Sequence, residues 1–481
     1  MNKRLVLKIL GATLLIEAAT MLPSYVVALV YHDPGDGEAL LKTILMMVFL
    51  GLPMWFLAKP RESNLRAREG FVIVALAWLG LSGFGALPFV FSGYLPNYID
   101  ALFEAVSGFT TTGATVVTNF EHYPHGVMFW RSFTHWIGGM GVLVLTLALL
   151  PQMTGRTSHL VRAESPGPSL SKIVPKMGDS AKILYLIYAA LTALQFAVLL
   201  LAGMNPYDAA IHTFGTAGTG GFSNYGASIA AFHSPLIEWI ITFFMVLFGI
   251  NFALFYRAIT GDWRDALRSE ELHWYLGIIA ASVMAITLGI SKMYGGLATG
   301  LRHAFFYVAS ITSSTGFGTV DFVTWPEYCK WIIVMLMFCG ACAGSTGGGI
   351  KTSRVIILFR NVACEIRQMI HPRTVTRVQL DGKRVDTDGL KAVSTFFTSF
   401  MLLLITGSFL VSLDGYDMAT NFSAVLSSLS NIGPGMSLIG PTGNYNIFSY
   451  GSKLVLTVMM LIGRLEIFPI LILFSPSTWK K

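Results

Sequence analysis

Four short polar segments hold the residue types best suited to handling an ion in this chain of 481 residues. They read Phe109-Thr110-Thr111-Thr112-Gly113-Ala114-Thr115, Ala217-Gly218-Thr219-Gly220-Gly221-Phe222-Ser223, Ser313-Ser314-Thr315-Gly316-Phe317-Gly318-Thr319 and Ser430-Asn431-Ile432-Gly433-Pro434-Gly435. None contains Asp, Glu, His or Cys. That argues against a transition metal or a proton path and leaves backbone carbonyls, helped by threonine and serine hydroxyls, as ligands. Rings of carbonyls that replace a hydration shell suit a weakly hydrated monovalent cation, and glycine lets the backbone turn into the conformations such a ring needs. A single Thr-Gly or Gly-Gly in a membrane protein is more often a packing site or a turn. Four in one topological slot reverse that expectation.

The elements that must position these knots recur with them. Gly113, Gly221, Gly316 and Gly433 are separated by 108, 95 and 117 residues, a period that governs the whole architecture. Each knot follows a moderately apolar stretch of about a dozen residues, Ile99 to Thr110 in the first case. A helix that long rises only about 18 Å, so it enters a bilayer partway and must turn back. Irregular backbone at that depth is tolerated only inside protein or lining water, which places four such segments around a shared axis. Their C-terminal ends would converge with partial negative charge, favouring a cation.

Composition supplies the setting. Hydrophobic residues make up 54% and charged residues only 12%, against about 25% charged in soluble proteins, which excludes a water-soluble multidomain enzyme. Stretches long enough to span about 30 Å of hydrocarbon are Leu5 to Leu29, Leu41 to Leu57, Phe71 to Phe91, Phe129 to Leu150, Ile183 to Leu201, Leu236 to Tyr256, Trp274 to Ile290, Ala392 to Leu413 and Leu454 to Phe474. A tenth, Trp331 to Leu358, is broken by Gly344-Ser345-Thr346-Gly347-Gly348-Gly349. The first is too long for a signal-peptide core. Basic residues alternate between loops, and 26 of the 33 Lys and Arg fall on one side, so the positive-inside rule puts both termini in the cytoplasm. The net charge of +7 is then topogenic charge and lipid headgroup contact, not a nucleic-acid surface.

The expected fold is an all-α integral membrane protein: an N-terminal helix pair (1–69) and four membrane-pore-membrane repeats (70–181, 182–270, 271–390 and 391–481) around one pseudo-fourfold pore. It has about ten transmembrane helices and four re-entrant pore loops. Gly344 to Thr352 approaches a phosphate-binding loop, but Ile350 separates Gly349 from Lys351 and no strand precedes it. A glycine-broken span instead marks a permeation path, a hinge or a plain kink. Arg464 lies mid-span, where charge is expensive and functional by default; it either pairs structurally with Glu466 or faces the pore as a barrier to cations. Cys339 and Cys342 form a C-x-x-C in an apolar run, without the second pair a zinc site needs. Asp100, Glu104, Asp208, Asp321, Asp414 and Asp417 sit near the outer mouth, as cation-concentrating charge or as caps and loop charges. His135 is consistent with a packing contact.

These residues resemble the Trk/Ktr/HKT superfamily of potassium transporters, of the bacterial TrkH type. The likeness rests on Phe109 to Thr115, Gly340 to Gly349, Gly463-Arg464-Leu465-Glu466-Ile467-Phe468 and the extra N-terminal pair. It implies one filter glycine per repeat, matching Gly113, Gly221, Gly316 and Gly433, with Gly220 leaving the second register ambiguous. The corresponding potassium filter set is Thr111, Thr112, Gly113, Thr219, Gly220, Gly221, Thr315, Gly316, Asn431, Ile432 and Gly433. Plant relatives that pass sodium carry serine where this chain has Gly113, which implies preference for potassium, with rubidium accepted and sodium weaker. The resemblance further implies a gate of Gly344 to Gly349 with Arg464, a homodimer, and a cytoplasmic RCK or TrkA-like nucleotide-binding ring docked on basic segments such as Arg360 to Arg384. The fourth knot, with Ile432 and Pro434, departs most from the pattern.

The expected function is therefore potassium uptake through a gated pore in a bacterial inner membrane, driven by the membrane potential, with K+ as cargo and no cofactor. Sodium- or proton-coupled symport is the alternative. Enzymatic activity is not expected, since no nucleophile, base or metal set converges at membrane depth.

Overall fold

The computed structural model describes residues 2–58, 67–141, 177–374 and 376–479. The basic segments at Lys59 to Arg66 and Arg156 to Lys176, the end of the Phe129 to Leu150 stretch and the Lys480-Lys481 terminus lie outside the described residues.

Six described helices are long and apolar enough to cross a membrane: Lys3–Tyr31, Asp36–Leu57, Arg68–Phe91, Ala181–Leu201, Glu270–Ile290 and Thr387–Asp414. A pair, Pro235–Phe248 and Phe252–Ile259, makes a seventh but is bent by 90°. Their outer faces carry large apolar side chains such as Phe49, Leu57, Leu201, Leu288 and Phe409, each more than half exposed. A soluble surface rarely presents that much contiguous apolar area. Against hydrocarbon it costs nothing, and the chain is a multi-pass membrane protein.

Between the long helices lie four shorter ones, Tyr98–Phe109, Pro206–Ala217, Leu297–Thr312 and Met418–Ser430. Three of them start on a side chain that accepts an otherwise unpaired first-turn N–H, from Asn97, Asn205 and Asp417. The lengths of 12, 12, 16 and 13 residues agree with helices too short to cross. Each is followed by its knot, a short polar return and a further helix: His125–Gly139, Pro235–Phe248, Glu327–Cys339 and Tyr450–Arg464.

These return helices correct the sequence expectation. Only Trp331 to Leu358 was expected to break, and it does, between Cys339 and Thr352. Leu236 to Tyr256 also breaks, where Gly249 ends one helix and the Asn251 side chain caps the next by accepting from Ala253 N at 2.9 Å. Leu454 to Phe474 breaks at Leu465 to Ile467, with Glu466 and Ile467 in the left-handed region. The His125–Gly139 helix ends beside Gly141, also at positive φ. Hydropathy does not register a break whose flanks stay apolar.

One small feature is not helical. Gln379–Leu380 pairs antiparallel with Lys383–Arg384 across Asp381 and Gly382, both at positive φ, as a tight Asp-Gly hairpin requires. Glu270 ties it to the helical body, accepting from Asp381 N at 3.1 Å and from Arg360 Nη1 at 2.9 Å.

Candidate ion pathway

All four short helices end in the same paired bonds. Thr111 N donates to Gly108 O at 3.0 Å and Thr112 N to Ser107 O at 2.9 Å. The same pairs join Thr219 to Thr216 and Gly220 to Gly215, Ser314 to Ile311 and Thr315 to Ser310, and Asn431 to Ser428 and Ile432 to Ser427. Such an ending needs one left-handed residue, usually glycine. Here it is Thr111, Thr219, Ser314 and Asn431, with φ of 55°, 56°, 59° and 52°. That conformation costs an L-residue roughly 1–2 kcal/mol, and it persists because each side chain is held. Thr111 and Thr219 hydroxyls donate to the preceding carbonyls at 2.7 and 2.6 Å. Ser314 Oγ accepts from Gly348 N at 2.6 Å, and Asn431 Nδ2 donates to Thr112 Oγ1 at 2.9 Å and Met460 O at 3.0 Å.

Two residues later the backbone is left-handed again, at Gly113, Gly221, Gly316 and Gly433. The doubled pattern fixes the register that the sequence left open: Gly221, not Gly220, is equivalent to Gly113. Gly220 is small for a different reason, since a Cβ there would lie 2.4 Å from the His135 ring. His135 itself is a packing tie, with Nδ1 at 2.7 Å from Gly108 O and Nε2 accepting from Phe222 N at 3.3 Å.

The knots meet in sequence around a closed ring. A Cβ on Gly113 would fall 2.0 Å from Gly220 O, one on Gly221 2.0 Å from Thr315 O, one on Gly316 2.0 Å from Ile432 O, and one on Gly433 2.8 Å from Thr112 O. The four oxygens belong to equivalent residues, each immediately before its glycine. Thr111, Thr112, Thr219, Thr315 and Asn431 are fully buried and Ile432 almost so. The four glycines also line one cavity of about 290 Å³, together with Phe120, Tyr225, Asn444 and Tyr445. The sequence-derived filter set is thus brought together in one place.

The chain leaving each glycine is pinned by a different device. Nine residues before the glycine stand Glu104, His212, Tyr307 and Ala424. Glu104 accepts from Thr115 Oγ1 and Val116 N at 2.8 and 3.0 Å. His212 Nε2 meets Ser223 Oγ at 2.9 Å, and Tyr307 Oη receives Thr319 N at 3.2 Å while donating to Val320 O. In the fourth unit, where alanine has nothing to offer, Ser427 and Tyr445 hydroxyls donate to Gly433 O at 2.8 and 2.7 Å. Of the acids expected near the mouth, Glu104 and Asp208 are buried and bonded inside the protein. Asp321 and Asp417 cap helices, Asp414 accepts from Ser449, and Asp100 pairs with Lys453 at 2.6 Å.

The glycine-rich interruption packs against the other end of the ring. Cβ atoms on Gly347 and Gly348 would lie 2.7 and 2.2 Å from the carbonyl oxygens of Ser313 and Ser430. Thr346 Oγ1 donates to Phe248 O at 3.2 Å, Ser345 Oγ donates to Cys342 O at 2.6 Å, and Gly344 O accepts from Phe252 N at 3.0 Å. Arg464 closes its helix instead of sitting mid-span. It donates to Thr346 O at 2.8 Å and to Gly138 O and Gly139 O at 2.5 and 2.7 Å, so one guanidinium ties its own helix end to the end of the His125–Gly139 helix and to the glycine-rich interruption. Glu466 forms an ion pair with Arg354 at 2.7 Å.

Sequence reasoning missed Lys351, which it counted as topogenic charge. The side chain is 2% exposed and Nζ donates to Gly347 O. Glu271 likewise accepts from Ala343 N at 2.7 Å and Ser353 N at 3.1 Å, holding both stems of the interruption. A lysine two residues after the last glycine of the run was the available signal.

The profile of a family described as a cation transport protein, TrkH, matches residues 36–280 and 274–481. The chain belongs to the TrkH family. The Trk system potassium uptake protein TrkH of Escherichia coli K12 is 36% identical over the whole of both chains. TrkG from the same organism is 33% identical over 99% of each. The crystal structure of the potassium transporter TrkH from Vibrio parahaemolyticus superposes with a TM-score of 0.89 at 33% identity, covering all of both chains. Within this TrkH-family chain, the ring of knots and the layer against it bring positive-φ backbone from all four units into contact.

Proposed function

We propose that this chain is the pore-forming subunit of a potassium uptake system, in which K+ sheds water at the ring formed by Thr111, Thr112, Gly113, Thr219, Gly220, Gly221, Thr315, Gly316, Asn431, Ile432 and Gly433. The observation that carries the proposal is the closed contact of four equivalent knots, each glycine against the next unit's carbonyl. Such oxygens replace a hydration shell without titratable groups, and four helix C-termini behind them add negative potential. Membership of a family whose relatives are named potassium uptake proteins supports the same conclusion.

The chain then divides into an N-terminal helix pair and four membrane-pore-membrane units with boundaries near residues 70, 182, 271 and 391, about ten crossings in all. The membrane potential supplies about 2.3 kcal/mol per charge per 100 mV to draw the ion inward. The Gly344 to Gly349 interruption and Arg464 form the gate on the far side of the ring. The protein works as a homodimer in a bacterial inner membrane, with both termini cytoplasmic and a nucleotide-binding ring of TrkA type regulating the gate.

Rubidium-86 uptake into proteoliposomes, with potential, sodium and proton gradients imposed separately, tests this. Uptake that follows the potential alone and is competed by K+ far better than by Na+ is expected. Uptake that requires a sodium or proton gradient would replace the pore with a symporter.

A further inference from the structure

Glu104 and Arg131 form the most deeply withdrawn ion pair among the described residues, with side chains 0% and 1% exposed and Nε to Oε1 at 2.6 Å. Neither is in the ring. Glu104 lies on the Tyr98–Phe109 helix and Arg131 on the His125–Gly139 helix. Both reach chain that leaves a ring glycine, and they reach different glycines.

Glu104 uses both oxygens on the first unit: Oε1 accepts from Thr115 Oγ1 at 2.8 Å and Oε2 from Val116 N at 3.0 Å, two and three residues beyond Gly113. Arg131 acts on the second unit. Nη1 donates to Ser223 O at 3.0 Å, and the guanidinium carbon sits 3.4 Å from the centre of the Phe222 ring, the residue next to Gly221. One carboxylate and one guanidinium therefore set the distance between the outgoing strands of two neighbouring knots. The fork of the guanidinium is rigid and planar, so the pair transmits position and not merely attraction. Arg131 also borders the cavity lined by the four glycines, where an unneutralised cation would oppose an entering one.

A buried ion pair is weak evidence for stability, since desolvation offsets much of the attraction; apolar replacements are often neutral or better. What such replacements do not reproduce is the directional hold on Val116 N and Ser223 O. We propose that the Glu104–Arg131 pair is a positioning element for selectivity: it fixes the first knot against the second, and through them the size of the carbonyl ring. The proposal rests on the pore function argued above.

The test is competition of K+ and Na+ for rubidium-86 uptake by the purified full-length protein in liposomes. It compares the parent with Glu104→Gln, Arg131→Lys, the double variant Glu104→Gln/Arg131→Gln, and Arg302→Gln. Arg302 pairs with Glu238 at 2.9 Å, both outside the four knot segments, and serves as control. The double variant leaves no lone buried charge. The expected result is a fall of about tenfold in K+ over Na+ preference for Glu104→Gln and the double variant. Arg131→Lys should fall between, because a lysine keeps the charge but not the fork or the stack, and Arg302→Gln should match the parent. A parent without K+ preference would overturn the pore function itself. A selective parent with unchanged ratios in every variant overturns this inference alone. So does an equal fall in Arg302→Gln, or a double variant that cannot be recovered monodisperse, since the pair would then be a folding element.

Discussion

In the ring, neighbouring units are in contact backbone to glycine, and the chain that leaves it is tied by neutral hydroxyls, an imidazole and one mutually neutralised carboxylate–guanidinium pair, Glu104 with Arg131. In the layer against it, the glycine-rich interruption and the end of the His125–Gly139 helix are held by basic side chains that donate to carbonyl oxygens: Arg464 to Thr346, Gly138 and Gly139, and Lys351 to Gly347. Both regions rest on backbone in the left-handed region, yet they answer differently to a perturbation. A Cβ at a ring glycine has nowhere to go, because its neighbour is main chain. In the proposed gate, the Arg464 guanidinium would release Thr346, Gly138 and Gly139 together by a rotamer change.

Breaking the ring should have the largest effect. Gly113→Ser places a side chain where a Cβ would lie 2.0 Å from Gly220 O, at a φ of 79°, and is expected to lower K+ over Na+ selectivity by more than about tenfold. Unchanged permeability ratios in reconstituted vesicles would remove Gly113 from the filter. Loosening the second layer should act on rate and not on selectivity. Arg464→Ala, or deletion of Gly344 to Gly349, is expected to raise regulator-free rubidium flux by about tenfold, equivalent to about 1.4 kcal/mol, with the ion preference intact. A fall in flux would sink the gate assignment. Lys351→Met removes one carbonyl tie where Arg464→Ala removes three, and a smaller rise of about threefold is expected. The smallest effect is expected at the border of the two regions. Asn431→Ala loses the bonds to Thr112 Oγ1 and Met460 O and should lower thermal stability by about 1–2 kcal/mol while lowering selectivity less than Gly113→Ser does, because the backbone carbonyls of the knot remain. A selectivity loss as large as that of Gly113→Ser would mean that the fourth knot, not the first, dominates discrimination.

The four knots were legible because ion handling without titratable groups leaves a compositional trace, glycine beside threonine or serine, and a trace repeated four times is distinguishable from a turn. The long spans were legible from hydropathy. The extra breaks were not, although Gly249 followed by Asn251 is a stop signal followed by a cap, because flanking apolar residues keep any window average high. Arg464 was read as the intramembrane charge, while Lys351 was hidden in a basic segment counted for topology; burial depends on how the interruption folds back under the ring. The acids near the mouth divided in the same way. Glu104 and Asp417 have the same chemistry in sequence, but one meets a buried guanidinium and the other caps a helix.

By itself the sequence determined that this chain lies in a membrane, that four equivalent glycine-bearing segments recur along it, and that the oxygens these segments offer are neutral. Those properties follow from composition and spacing, which act locally. Only the tertiary structure decided the register of Gly221, the order in which the knots touch, which helices break, and which charges hold them. The order of contact and the longest ties depend on residues about a hundred or more positions apart, Gly113 with Gly220 or Arg464 with Gly138, and no local pattern encodes which carbonyl a distant side chain will find.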